Sequence, residues 1–264
     1  METANLHEAM ARLRAAAPLV HNITNFVVMN TTANALLAIG ASPAMVHAIE
    51  EVEAFVPLAK ALVVNIGTLS TPWLAAMERA ASKAAEAGVP WVLDPVAVGA
   101  TPYRTEAARR LAKLRPAVIR ANASEILALA GEAGIAPKGV DSAHGSEAAR
   151  EAAKALAREL GTVVAVTGAV DYITDGRRMA AVANGNAMLT RVTGTGCTAT
   201  ALVGAFLGAG LAPFNAATAG LVALGVAAEI AAARSAGPGS FQAALFDALH
   251  ALDDAALAER ARLS

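Results

Sequence analysis

The chain has 264 residues, enough for one large α/β domain at about 150 residues per domain, and with 56% hydrophobic but only 4% aromatic residues its core must be aliphatic. A net charge of −1, from 21 basic and 22 acidic residues, argues against a nucleic-acid surface or a polybasic membrane patch. One cysteine, Cys197, excludes an internal disulfide and a cysteine-rich zinc site, as expected of a cytoplasmic protein.

Residues 1–17 carry charges of both signs without an uninterrupted apolar run, so no signal peptide is expected. A short helix is expected at 5–16, then a strand at 18–20 that delivers His21-Asn-Ile-Thr-Asn25. The next helix should run from 26 to 39 and stop at Gly40, followed by an extended piece at 44–46 and a helix over 51–60. Residues 61–65 have the apolar, β-branched content of a buried strand and end in Ile66-Gly-Thr68. A helix at 72–87 has Pro72 near its start and Gly88 past its end. Further strands are expected at 91–94, closed by Pro95, and at 117–120, with a helix at 105–114 between them and another opening at Asn122-Ala-Ser-Glu125. Residues 131–145 read as a loop, 147–160 as a helix and 162–167 as a strand. A hairpin is expected from 171–174 and 178–183 around Asp175-Gly176, and helices at 197–210, 214–234 and 240–262. Apolar strands alternating with helices predict a three-layer α/β/α fold with a mostly parallel central sheet, in one domain over 1–264.

From Val192 to Ala228 there is no charged residue. Glycines, Pro213 and Asn215 break this stretch into pieces shorter than the ~20 residues a membrane span needs. Two buried helices joined at 211–215, in a soluble protein, are the expected reading.

The stretch opens with Thr193-Gly-Thr-Gly-Cys-Thr198 at a helix start, where free N–H groups and the helix dipole attract an anion. Gly194-x-Gly196-x-x-Ala199 formally fits the dinucleotide fingerprint, but no strand follows and no acid appears before Glu229. A Walker A loop is excluded by the absence of any Gly-Lys pair. Taken alone, Gly194 and Gly196 can simply make a tight turn, with Cys197 as a small buried hydrophobe.

Other polar residues give the turn a context. In open α/β sheets ligands bind at the carboxyl ends of the strands. Those ends should carry Asn22 and Thr24, Asn65 and Thr68, Asp94, Arg120 with Asn122 and Glu125, then Thr167 and Gly168. Any one of these can be a helix cap; five groups on one edge exceed what capping requires. Asp94 and Glu125 suit a Mg²⁺ held by one or two carboxylates plus phosphate. Arg120 can grip a phosphate in a bidentate fork, and Thr167 offers a hydroxyl. With the anion hole of Gly194, Thr195 and Gly196 this is a phosphoryl-transfer inventory without a P-loop.

His21-Asn-Ile-Thr-Asn25, Trp91-Val-Leu-Asp-Pro95, Arg120-Ala-Asn-Ala-Ser-Glu125, Val166-Thr-Gly168 and Thr193-Gly-Thr-Gly-Cys-Thr198 together resemble the hydroxyethylthiazole kinase family of the ribokinase-like superfamily, in family order from about residue 17 to 210. The resemblance departs at Ala121, where the family segment has glycine. It implies ATP- and Mg²⁺-dependent phosphorylation of 4-methyl-5-(2-hydroxyethyl)thiazole in thiamine salvage, by a homotrimer with active sites between subunits. It further implies ATP contacts at Arg120 and Thr167, Mg²⁺ at Asp94 and Glu125, substrate contacts at Asn25, Met45 and Gly194, and Cys197 at the position of the catalytic base.

A thiol at a helix N-terminus is expected to have a pKa lowered towards neutrality. A loose phosphoryl transition state nonetheless makes the anion hole and metal matter more than the base. His21 is expected to be a satisfied strand-end histidine, and His7, His47, His144 and His250 have no ligand spacing. Three alternatives stay open: a kinase of a related alcohol such as hydroxymethylpyrimidine, a hydrolase or acyltransferase with Cys197 as nucleophile and His21 as base, and a non-catalytic ATP sensor.

Overall fold

A computed structural model describes residues 3–132 and 145–264, so the loop expected at 131–145, with His144, lies mostly outside the described residues. The strands are β1 (Leu19–Ile23), β2 (Ser42–Ala44), β3 (Ala61–Asn65), β4 (Trp91–Asp94), β5 (Val118–Asn122), β6 (Val163–Thr167), β7 (Asp171–Thr174) and β8 (Met179–Val182). They form one sheet in the order β2-β1-β3-β4-β5-β6-β7-β8. The first six are parallel; β7 and β8 continue it antiparallel, as the hairpin at Asp175-Gly176 requires.

Both faces are covered. Side chains alternate along each strand, so Ala61 and Val63 of β3 face one helix layer while Leu62 and Val64 face the other. On the first side lie α1 (Thr3–Ala16), α2 (Met29–Ile39), α8 (Thr195–Gly208), α9 (Pro213–Ala233), α10 (Pro238–Ala251) and α11 (Asp254–Arg260). On the second lie α3 (Val52–Phe55), α4 (Thr71–Ala87), α5 (Pro102–Ala112), α6 (Ala123–Glu132) and α7 (Gly145–Leu160). The expected three-layer α/β/α architecture with a mostly parallel sheet is what forms. Ala121 is fully buried in the second layer's core, so its methyl group packs there.

Several element boundaries differ from expectation, and four of the differences have a clear local reason. The helix foreseen from residue 26 begins at Met29, because Asn25 Oδ1 accepts the Val27 N–H at 3.1 Å and holds 25–28 in a turn. Pro57 shortens the expected 51–60 helix to α3 and one 3-10 turn, Val56–Leu58. The edge strand β2 sits two residues earlier than 44–46, since the Val46 carbonyl is taken by His21. The last helix is two: Asp253 caps α11 by accepting the Ala256 N–H at 2.8 Å, which breaks the chain after α10. Among the uncharged residues, α9 is a continuous helix of 21 residues, not a string of pieces too short to span a membrane. Most of it, 15 of 21 residues, is buried against α8, α10 and the sheet, so it forms the core of this layer.

Candidate active site

The parallel strands bring their carboxyl ends to one edge, and the order reverses between β1 and β3, the place where such sheets bind ligands. Asn25 follows β1 there. It is buried, donates from Nδ2 to Asn65 Oδ1 at 2.8 Å, and approaches Cys197 Sγ at 3.6 Å. Asn65 ends β3 and passes the chain of bonds on, donating to Asp94 Oδ2 at 2.9 Å. Asp94 ends β4 and also accepts the Thr200 hydroxyl of α8 at 2.7 Å. Its second oxygen, Oδ1, is buried and meets no hydrogen-bond donor among the described residues. A buried carboxylate oxygen without a partner is costly unless a cation is meant to meet it. Burial is the main cause that raises the Asp94 pKa, against the lowering influence of Arg120 and its donors.

Helix α8 begins two residues before the expected position, at Thr195. Its N-cap is Gly194, at φ 84°, and the first helical bond is Thr198 N–H to the Gly194 carbonyl at 2.8 Å. The N–H groups of Thr195, Gly196 and Cys197 precede that bond and are free of helical partners. These free N–H groups stand at the turn of Gly194, Thr195 and Gly196, where an anion hole was expected. Arg120, on β5, lies directly over it: a Cβ on Gly196 would stand 2.9 Å from Nη1 and 3.1 Å from Nη2. Arg120 donates to Thr167 Oγ1 at 2.5 Å and is 3.7 Å from Asp94 Oδ2, with only 12% of its side chain exposed. These residues open into a cavity of about 700 Å³ that continues past Gly168 and Asp171 to Asn184–Ala187, Leu221 and Leu224.

Cys197 overturns one expectation. Its thiol is pushed up to about 11, not lowered towards neutrality. Burial is the larger cause and the neighbouring Asp94 charge the next; together they outweigh the donors from Asn65 and Asn25 and the charge of Arg120. Glu125 is engaged more fully than foreseen. Its Oε1 accepts the Ala97 N–H at 2.8 Å and Oε2 the Asn122 N–H at 2.9 Å, while Asn122 Oδ1 accepts the Glu125 N–H at 2.9 Å. This is a capping box at the start of α6 that also holds the loop after Asp94. Glu125 retains lone pairs for a cation or its water, but its first partners are backbone.

Met45 lies half-buried just beyond β2, beside Val46, whose carbonyl accepts the His21 Nε2–H at 2.6 Å. Burial lowers the His21 pKa, so the ring is neutral, and it packs edge-on against Phe55 at 4.9 Å. His21 is satisfied only in part: Nε2 holds the Met45 segment in place, while the buried Nδ1 meets no hydrogen-bond partner among the described residues. His47 stacks on Trp73 (4.6 Å), which also meets Phe26 (4.7 Å).

Sequence reasoning missed three contributors. Thr200 is buried one turn beyond Cys197 and reaches Asp94. Asp171, opening β7, accepts the Gly168 N–H at 2.9 Å on the cavity wall, and burial pushes it up to about 6. Arg104 donates to the carbonyls of Ile66 (2.6 Å), Gly67 (2.8 Å) and Val96 (3.2 Å), tying two strand-end loops together. Its signal was present: a cation in the first turn of α5, where the helix dipole disfavours one.

Residues 10–255 match a family model described as the hydroxyethylthiazole kinase family. The chain belongs to that family. A hydroxyethylthiazole kinase of Granulibacter bethesdensis is 60% identical over 95% of this chain and 91% of its own length. One from Leptospira biflexa is 52% identical over 94% of this chain and 93% of its own. Among solved structures, the hydroxyethylthiazole kinase protein of Pyrococcus horikoshii superposes with a TM-score of 0.93 at 48% identity, covering 99% of this chain and 98% of the other. Bacillus subtilis pyridoxal kinase, in an ADP complex, shares the fold at a TM-score of 0.60 and 20% identity, over 80% of this chain and 92% of its own. As family members do, the chain has a ribokinase-like α/β fold.

Proposed function

We propose that this chain is an ATP- and Mg²⁺-dependent kinase acting on the primary alcohol of 4-methyl-5-(2-hydroxyethyl)thiazole, within thiamine salvage. One observation carries the reading: Arg120 is pinned over the α8 N-terminus between Thr167 and Asp94, while Asp94 Oδ1 has no protein donor. The large cavity takes the nucleotide, with its phosphates towards Arg120, Thr167 and the N–H groups of Gly196 and Cys197. The alcohol lies towards Asn25, Met45 and Gly194, at the β1–β3 reversal. Its oxygen forms a bond to the γ-phosphorus as the bond to the β–γ bridging oxygen breaks, leaving ADP. Asp94 and Glu125 are the residues that would hold Mg²⁺, which supplies positive charge to the phosphate oxygens. Arg120 and the free N–H groups stabilise charge on the transferring phosphoryl group. Cys197 enters the reaction as a neutral thiol and so does not take the alcohol proton, which passes to an oxygen of the transferred phosphoryl group or to water.

The activity belongs to one domain over 1–264 in the cytoplasm, and the assembly we propose is a homotrimer with active sites between subunits. Phe26, 67% exposed, and Val27, 59% exposed, directly follow Asn25 and give a neighbouring subunit an apolar surface beside the site.

The deciding assay follows ADP release with the thiazole alcohol and, separately, hydroxymethylpyrimidine. Turnover with the thiazole, abolished by a chelator, is expected. Faster turnover of the pyrimidine would reassign the substrate. ATP binding without ADP release would leave a sensor, and chelator-insensitive hydrolysis killed by iodoacetamide would make Cys197 a nucleophile.

A further inference from the structure

Part of the cavity wall is tied to the C-terminal segment. Asn184 and Gly185 line the cavity just after β8, together with the apolar Leu221 and Leu224, an uncharged surface that suits a nucleoside and not its phosphates. The loop packs hard against α9: a Cβ on Gly225 would stand 2.6 Å from Asn184 Cβ. One turn along, Glu229 Oε1 accepts the Gly185 N–H at 2.9 Å and Asn184 Nδ2 at 3.1 Å. Asn184 also reaches the C-terminal segment, donating to the Arg260 carbonyl and accepting the Arg262 N–H, both at 2.7 Å. The Arg262 guanidinium then closes the ring, donating to the Ala183 carbonyl at 2.8 Å and to both Glu229 oxygens. Backbone pairing adds the segment to the free edge of β8, with Ala183 N–H to the Arg262 carbonyl at 3.0 Å and Ala181 N–H to the Ser264 carbonyl at 2.7 Å.

Phosphoryl transfer uses none of these groups, and residues beyond 255 lie outside the family-model match. Yet Glu229 is the first charge after the uncharged stretch, and its side chain is only 15% exposed. A charge placed there needs its partner, because a buried carboxylate left unpaired is strongly unfavourable. We propose that Arg262, Glu229 and Asn184 form a latch through which the C-terminal segment fixes the nucleoside-binding wall. Arg262 is a positioning residue for the phosphoryl donor and has no part in binding the alcohol. The inference rests on the cavity holding the nucleotide of the proposed kinase.

Arg262→Ala removes the side-chain bonds to Ala183 and Glu229, each charge-assisted. The expected result is a KM for ATP raised about fivefold to tenfold, with kcat and the KM for the thiazole alcohol within twofold of wild type. Arg262→Lys, which keeps one contact to Glu229, should recover part of the loss. Calorimetric titration with ATP, done in parallel, should show the same weakening. A folded Arg262→Ala protein with a lower Tm but unchanged KM and Kd for ATP would overturn the latch, as would equal losses for ATP and the alcohol. If the alanine variant does not fold, Arg262→Lys decides by the same split. If the wild type binds ATP but phosphorylates no alcohol, the kinase reading fails, and the Kd comparison still judges the latch.

Discussion

Replacing Cys197 by alanine measures how much the reaction depends on a protein base. With the thiol pushed up to about 11 by burial and by Asp94, only about one molecule in several thousand carries a thiolate near pH 7.5. A mechanism that needed that thiolate would gain rate about tenfold per pH unit across the neutral range, and Cys197→Ala would lose the ~10²–10⁴ typical of general-base catalysis. Positioning and charge stabilisation do not depend on the side chain, since the N–H groups of Thr195, Gly196 and Cys197 belong to the backbone. Cys197→Ala is therefore expected to keep kcat within about tenfold of wild type, with a flat pH profile between about pH 7 and 9 in both proteins. Cys197→Asp should retain or raise kcat, because a carboxylate beside Asp94 has its pKa lifted towards neutrality, the range of an effective base. Steady-state kinetics over that pH range, with circular dichroism to confirm folding, checks both variants. A hundredfold loss in a folded Cys197→Ala protein, or a wild-type rate that climbs with pH and a variant rate that does not, refutes the reasoning. So does a folded but inactive Cys197→Asp.

Three further predictions follow from the neighbours of the thiol. Asp94→Asn should cost at least about a hundredfold in kcat and abolish stabilisation by Mg²⁺-ATP, while its unliganded Tm is no lower, since burial raises the Asp94 pKa and its neutralisation relieves the fold; a large fall in the unliganded Tm would contradict this. Asp171 is lifted from an ordinary 3.8 to about 6, which at about 1.4 kcal/mol per pH unit costs the folded state about 3 kcal/mol when ionised. Its folded value lies above the unfolded one, so the penalty is complete above about pH 6 and disappears as pH falls towards about 4. Asp171→Asn, which can still accept the Gly168 N–H, should be more stable than wild type in urea at about pH 8 by up to that amount, and no different near pH 4; equal stability at both pH values would show that the carboxylate is not desolvated. Gly196→Ala sets a methyl 2.9 Å from Arg120 Nη1, so the guanidinium must shift off its position over the α8 N-terminus. A loss of about tenfold in kcat/KM for ATP is expected, and kinetics within twofold of wild type would remove Arg120 from the phosphate site.

The fold was legible because its strands are β-branched runs ended by polar residues, and a parallel sheet then places those ends on one edge. Asp94, Arg120 and Thr167 could be named without coordinates from residue type and position at a strand end, and the Gly194–Gly196 turn from its place at a helix start; Asn25 was named only through the family resemblance. The Cys197 environment was not legible. Its place at a helix start argues for a depressed pKa, and what reverses this is burial and a carboxylate 103 positions earlier in the chain (197 − 94). Glu125 illustrates a second limit: residue type and spacing suggested a metal ligand, and only the bonds from Ala97 and Asn122 reveal that it also forms a capping box. Arg104 and Arg262 act on carbonyl groups of distant loops, and no periodicity announces such partners.

The charges around Arg120 explain why a neutral side chain suits position 197. Arg120 is attracted to the buried Asp94 and the half-buried Asp171, both carboxylates with raised pKa, and Glu125 lies near enough to raise Asp94 further. On the proposed reading, the polyphosphate of ATP enters a region that already has more acid than base, so its binding would depend on cation charge at Asp94 and on the α8 N-terminus. A thiol stays uncharged there and leaves the helix terminus available to phosphate. An aspartate gives a stronger base but adds a negative charge at the point of phosphate contact. Cys197→Asp should therefore separate the two kinetic constants, holding or raising kcat while increasing the KM for ATP, and high Mg²⁺ should narrow the difference. A lower KM for ATP in that variant would mean that repulsion at position 197 does not limit nucleotide binding.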